Sequence, residues 1–210
     1  MAKPAAEFWD GIARKYAADP IADMAGFERT LEAARAQIEG RAAFEFGCGT
    51  GTAALKLAPG AARYVASDIS REMIAIAKEK AAAEGGSKAE FVVATPDAAP
   101  FEAGSFDAVL GFNILHLIKD RASALAGAHR LLKPGGLLIT KTPCLKEMNP
   151  LIRLAVPLMQ AIGKAPDVAF FNAAELEAEI AAAGFEVVER ARHGTKPKQE
   201  PRIYLVARKL

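Results

Sequence analysis

The sequence predicts an α/β fold built on a doubly wound, mostly parallel sheet. Short apolar runs alternate with helix-period segments through residues 42–141, the pattern of strand–helix–strand units. Three alternating glycines, Gly47, Gly49 and Gly51, close the first apolar run, as at a strand-to-helix turn that receives a ligand. At 210 residues and 51% apolar composition the chain suits one domain with a full core.

In chain order, Phe8-Trp9 and residues 21–38 suggest two helices able to cover a cleft. Residues 42–46 read as a strand, 52–58 as a helix and 63–67 as a strand. A helix over 71–84 follows, with Ser70 as N-cap and Gly85-Gly86 as its stop. Residues 89–94, 106–111 and 136–141 read as strands, with a helix near 119–132 between the last two. After Gly184 the pattern changes: 185–189 and 203–207 read as two strands joined directly through a loop rich in Gly, Lys and Pro.

Glycine at 47, 49 and 51 permits positive φ and lets a ligand lie against the main chain. Asp68, ending the next apolar run, stands where a strand-end carboxylate grips ribose hydroxyls, although an acid there can also satisfy the free amides of the helix after Ser70. Dinucleotide folds favour G-x-G-x-x-G/A. Here the third glycine comes one residue early and Thr52 takes the sixth place, which counts against a nicotinamide cofactor.

Glu45-Phe46-Gly47-Cys48-Gly49-Thr50-Gly51, Asp68-Ile69-Ser70 with Met73, Ser105-Phe106-Asp107, Leu115-His116 and Leu132-Lys133-Pro134-Gly135-Gly136 resemble, in this order, the motifs of class I S-adenosylmethionine (SAM)-dependent methyltransferases. Over residues 40–142 the chain is most similar to small bacterial enzymes of the ubiquinone/menaquinone-methyltransferase type. The resemblance implies a Rossmann-like methyltransferase fold, an α/β seven-stranded sheet whose antiparallel last strand inserts beside the one before it. It implies S-adenosyl-L-methionine as cofactor, with Glu45, Gly47, Cys48, Gly49, Thr50 and Gly51 around its methionine end and Asp68 on the ribose. Ile69 and Met73 would flank the adenine, unless they are simply core. Thr95, Pro96 and Asp97 would lie at its edge, and Phe112 and Asn113 where cofactor and acceptor meet. The family commonly has Gly-Asp-Ala after the third strand. This chain has Ala94-Thr95-Pro96-Asp97, so Thr95 aligns with the usual acid and Asp97 falls two residues later, where it can face solvent.

The implied layout is a single methyltransferase domain over 1–210: an N-terminal helical cover (1–40), a SAM-binding core (41–142), a lid-like insertion (145–172), and a C-terminal helix and hairpin (173–210). His116 is the one candidate base, since an imidazole titrates near neutral pH, with packing as the alternative role. The Asp/Asn-Pro-Pro-aromatic motif of DNA-directed enzymes, the glutamate pair of protein-arginine enzymes and the strand-end acids of magnesium-dependent catechol enzymes are not found. A small-molecule, metal-independent acceptor site is the remaining expectation. Cys48 and Cys144 lack metal-like spacing and fit a reducing cytoplasm. A net charge of +2 gives no reason to expect a nucleic-acid partner, and the N-terminus lacks the apolar core of a signal peptide.

The apolar 151–162 segment is too short to span a bilayer and places Arg153, Pro157, Gln160 and Lys164 on one helical stripe. It could pack on the core, form a lid over a hydrophobic acceptor, or serve a dimer or a membrane surface. The leading expectation is methyl transfer from SAM to a small acceptor, hydrophobic if the 151–162 segment is its lid, by direct displacement. The alternatives are a phospholipid headgroup N-methyltransferase, an NAD-dependent oxidoreductase and a non-catalytic SAM-binding protein. The acceptor and the oligomeric state are left open.

Overall fold

The computed structural model describes residues 4–148, 151, 156, 159–160, 165–196 and 200–210. Seven strands form one sheet: β1 (Ala42–Phe46), β2 (Arg63–Asp68), β3 (Ala89–Val93), β4 (Phe106–Phe112), β5 (Leu132–Pro143), β6 (Phe185–Ala191) and β7 (Arg202–Lys209). Their order is β3-β2-β1-β4-β5-β7-β6. The first five run parallel, and β7 pairs antiparallel with both β5 and β6. The helices described throughout their length are α1 (Ala5–Ala18), α2 (Met24–Ile38), α3 (Thr52–Leu57), α4 (Arg71–Ala83), α5 (Arg121–Leu131) and α6 (Ala173–Ala182).

The helices begin where the sequence supplies caps. Asp23 accepts from the Gly26 amide at 2.9 Å, Ser70 from Met73 at 3.1 Å and Asp120 from Ser123 at 3.0 Å. Asn172 and Glu175 form a reciprocal capping box at α6. The sheet carries two apolar layers, as a parallel sheet covered on both faces requires. Leu31, Ala54, Leu57, Tyr64 and Ile139 belong to the layer shared with α2 and α3, and Phe44, Phe106, Leu125, Leu138 and Leu176 to the layer shared with α5 and α6.

The expected elements are present, with two differences in extent. Helix α1 runs the full Ala5–Ala18 stretch around Phe8-Trp9. It is held by Trp9, Ala13 and Ala17 packed on Met73 and Ile76, and by Asp10, which accepts from the Ser70 hydroxyl at 2.6 Å. The exposed Arg14–Glu79 pair adds little in water. Strand β5 begins at Leu132 rather than at Gly136, because Leu132 pairs with Phe106 before the register shifts and resumes at Ala108↔Leu137. Most of the 151–162 segment, including Arg153 and Pro157, lies outside the described residues, as does Lys164. Gln160 donates to the Pro166 carbonyl at 2.9 Å.

Chain direction across the sheet reverses between β1 and β4: from β1 the chain moves outward to β3, then returns to β4. In open α/β sheets the crevice at the carboxyl ends of such neighbouring strands is where ligands bind. The glycine loop leaves β1 and Asn113 follows β4, so both lie at this crevice.

Candidate functional site

Each glycine of the loop has positive φ, +66° at Gly47, +54° at Gly49 and +76° at Gly51. A side chain at Gly47 would run into Ile114 from the loop after β4, and one at Gly51 would meet Ala77 at 2.8 Å and Phe91 at 2.9 Å. Gly49 is different. Its missing side chain faces only Tyr16, whose Cε1 would stand 3.7 Å from it. The loop is therefore packed on its inner side and open on its outer side, beneath a tyrosine from α1.

Asp68 ends β2 beside this loop and is buried. One carboxylate oxygen accepts from the Gly49 amide at 2.9 Å, the other from the Ser70 amide at 2.9 Å. Burial raises its pKa, and those backbone bonds oppose the rise. A carboxylate has about four acceptor positions, so with these amides bound, and the Ile69 backbone also acting on it, acceptor capacity remains for a ribose hydroxyl. Ile69 follows and is 40% exposed, an apolar residue next to the acid. An open glycine cradle, a carboxylate with spare acceptor capacity and an exposed apolar side chain together fit a nucleoside bearing an amino-acid tail.

The remaining expected cofactor residues divide into those that face the crevice and those that support it. Glu45 is buried under the loop, accepts from the Tyr64 hydroxyl at 2.8 Å and is pushed up to about 7 by burial, with Asp68 adding to the rise. Cys48 is buried and its thiol pKa is raised well above the usual value, first by burial, so it packs rather than reacts. Thr50 is buried and takes a 2.9 Å bond from Lys80, which pins the loop from behind. Met73 is covered by α1. Thr95 is half-buried and Asp97 exposed, while the Pro96-Asp97 backbone leans on Gly127 of α5.

At the neighbouring edge Phe112 is half-buried and Asn113 exposed. Asn113 has φ 53°, a left-handed conformation that asparagine tolerates better than most residues, and its amide donates to the Lys141 carbonyl at 2.7 Å. His116 lies in the turn after β4. Burial, and secondly Arg202, lower it to about 4, so the imidazole is neutral at physiological pH and a weak base. Its Nδ1 has no partner.

Sequence reasoning did not single out Tyr16, Thr30 or Tyr204. Tyr16 lies far from the loop in sequence, and its place depends on how α1 docks on α4. Thr30, from α2, bonds to Lys141 near the end of β5, and Tyr204 stands opposite Lys141 in the β5–β7 register. Among the described residues no group of three or more His, Cys, Asp or Glu is placed to hold a metal ion, and no helix is long and apolar enough to cross a membrane.

Residues 44–140 match a family model described as a methyltransferase domain. Demethylmenaquinone methyltransferase of Clavibacter sepedonicus is 35% identical over 105 residues, which is 50% of this chain and 42% of that protein. Ubiquinone/menaquinone biosynthesis C-methyltransferase UbiE of Geotalea uraniireducens (strain Rf4) is 37% identical over 103 residues, 47% of this chain and 43% of its own length. The chain thus matches less than half the length of these curated relatives. The crystal structure of magnesium protoporphyrin IX methyltransferase (ChlM) from Synechocystis PCC 6803 with bound S-adenosylhomocysteine (SAH) superposes with a TM-score of 0.72 at 16% identity, covering 98% of both chains, and shares the fold.

Proposed function

From the premise that this chain carries the domain of the class I SAM-dependent methyltransferases, with SAM as its cofactor, we propose that it transfers a methyl group to a small-molecule acceptor by direct displacement. The observation that carries this reading is Asp68, engaged on both oxygens by loop amides yet with acceptor positions to spare, beside a glycine cradle open on one side. Asp68 accepts from the ribose hydroxyls and Ile69 lies against the base. Gly47, Gly49 and Gly51 admit the methionine end, and Tyr16 covers it from α1. Thr95, Pro96 and Asp97 border the base, and Phe112 and Asn113 the methyl-transfer point. Glu45, Cys48, Thr50 and Met73 act from below, holding the loop and α1.

The bound cofactor supplies an activated sulfonium methyl group as the electrophile. The chain's own task is orientation and exclusion of water, which can lower a barrier by about 7–11 kcal/mol. The acceptor approaches over the ends of β4 and β5. The named activities of the relatives, demethylmenaquinone and ubiquinone/menaquinone methylation, support a small organic acceptor. Incubation with methyl-labelled SAM and a panel of phenols, quinols and small carboxylic acids tests this. Labelled product together with SAH is expected. SAM binding without turnover on any acceptor would favour a non-catalytic role.

A further inference from the structure

Lys141 is an ammonium group buried at the ligand-binding edge of the sheet, 7% exposed, with neutral partners only: Thr30 Oγ1 at 2.9 Å and the Gly26 carbonyl at 3.4 Å. Among the described residues no carboxylate forms an ion pair with it. The two acids nearest in influence are occupied elsewhere. Asp23 accepts from the amides of Gly26 and Thr195, each at 2.9 Å, and Glu200 accepts from the Arg202 amide at 2.9 Å and pairs with its guanidinium at 3.2 Å. A buried cation without a counter-charge is unfavourable, and so is a buried hydroxyl without a partner. Tyr204 supplies the second: it is fully buried and its hydroxyl bonds to nothing. Register places the two opposite each other, Lys141↔Tyr204 in the antiparallel β5–β7 pair, so both project from one face of the sheet.

The surroundings orient these donors. Thr30 donates to the Gly26 carbonyl at 2.7 Å, leaving its oxygen to accept from Lys141, and His193 Nδ1 lies 3.2 Å from the same oxygen. The His193 ring stands 4.6 Å from that of Tyr204. The Lys141 carbonyl holds the Asn113 amide, which ties the cluster to the loop where acceptor and cofactor are proposed to meet.

We propose that Lys141 and Tyr204 form an anion subsite that receives an acidic oxygen of the methyl acceptor, a carboxylate or a phenolate. This rests on the methyltransferase reading and narrows its acceptor class. One such oxygen would give the ammonium its counter-charge and the tyrosine hydroxyl its acceptor, and Thr30 and His193 are positioning residues that aim the lysine.

The test is titration of SAH-saturated protein with benzoate, 4-nitrophenol above its pKa, and neutral benzamide. At least one anion is expected to bind about tenfold or more tighter than benzamide, the worth of one charge-assisted hydrogen bond. Lys141→Gln should bring the anions to within about twofold of benzamide while SAH still binds, and Tyr204→Phe, which keeps the ring, should weaken the anions several-fold, on the scale of one lost hydrogen bond. Whichever anion binds tighter identifies the class of oxygen, carboxylate or phenolate, that the subsite receives. Failure of either anion to outbind benzamide in the wild type, or a preference that survives Lys141→Gln, overturns the proposal. Should Lys141→Gln not fold, an unchanged preference in Tyr204→Phe overturns it. Failure of the wild type to bind SAH is a different result and overturns the methyltransferase reading instead.

Discussion

The two halves of the crevice are built in opposite ways. At the β1–β2 edge the polar groups are satisfied before any ligand arrives: Asp68 takes two backbone amides, Glu45 takes Tyr64, and Lys80 holds Thr50. At the β4–β5 edge they are not. Among the described residues the buried side-chain polar atoms without a partner are His116 Nδ1, Thr140 Oγ1, Thr142 Oγ1 and Tyr204 Oη, and all belong to β5, to its partner β7 or to the turn after β4. Among the described residues Lys141, in the same strand β5, has no ion-pair partner. A preformed half suits an invariant cofactor, and a half with unmet donors and acceptors suits a ligand that brings its own complement.

Disruption of the preformed half should have the largest effect. Gly47→Val combines a positive φ with a collision against Ile114, and SAM binding should weaken by about 100-fold or more, from a strain and overpacking cost of roughly 3 kcal/mol. Calorimetry reads the affinity, and a thermal melt shows whether the fold survives. Asp68→Ala should raise the SAM dissociation constant about tenfold, the worth of one charge-assisted hydrogen bond. An unchanged constant would remove Asp68 from the site.

Glu45 sharpens the comparison through pH. Its folded-state pKa of about 7 lies above the usual 4.5, so the folded state holds the proton more tightly. The associated stability is present below about pH 4.5 and is lost as pH rises toward 7, on the order of 3 kcal/mol. Urea melts of wild type and Glu45→Gln across this interval should diverge, with the variant keeping stability that the wild type loses. Parallel curves would mean Glu45 is ionised throughout. The smallest effect is expected at His116. General bases contribute about 100-fold or more, whereas His116→Asn should change kcat/KM by less than about tenfold at neutral pH. A hundredfold loss would restore it as the base.

Local features of the chain are legible in its sequence, and contacts between distant elements are not. Strands such as 42–46 and caps such as Ser70 are local, set by apolar run length and by one side chain reaching an amide three residues on, and they are found where the pattern places them. The glycine loop follows β1 and Asp68 ends β2, as the sequence pattern placed them, because a run of glycines and the end of an apolar run are local signals. Tyr16 over Gly49 was not legible, since α1 reaches the loop only through its packing on Met73 and Ile76. Nor was the pairing of Lys141 with Tyr204, which depends on β7 inserting between β5 and β6 in one register. The place of that strand came from the family resemblance, and the partner residue came only from the structure.

The most direct measurement is side-by-side calorimetry of SAM, SAH and NADH on the wild-type protein. Micromolar binding of SAM and SAH and none of NADH is expected. Binding of NADH alone, or of no nucleotide, would contradict it.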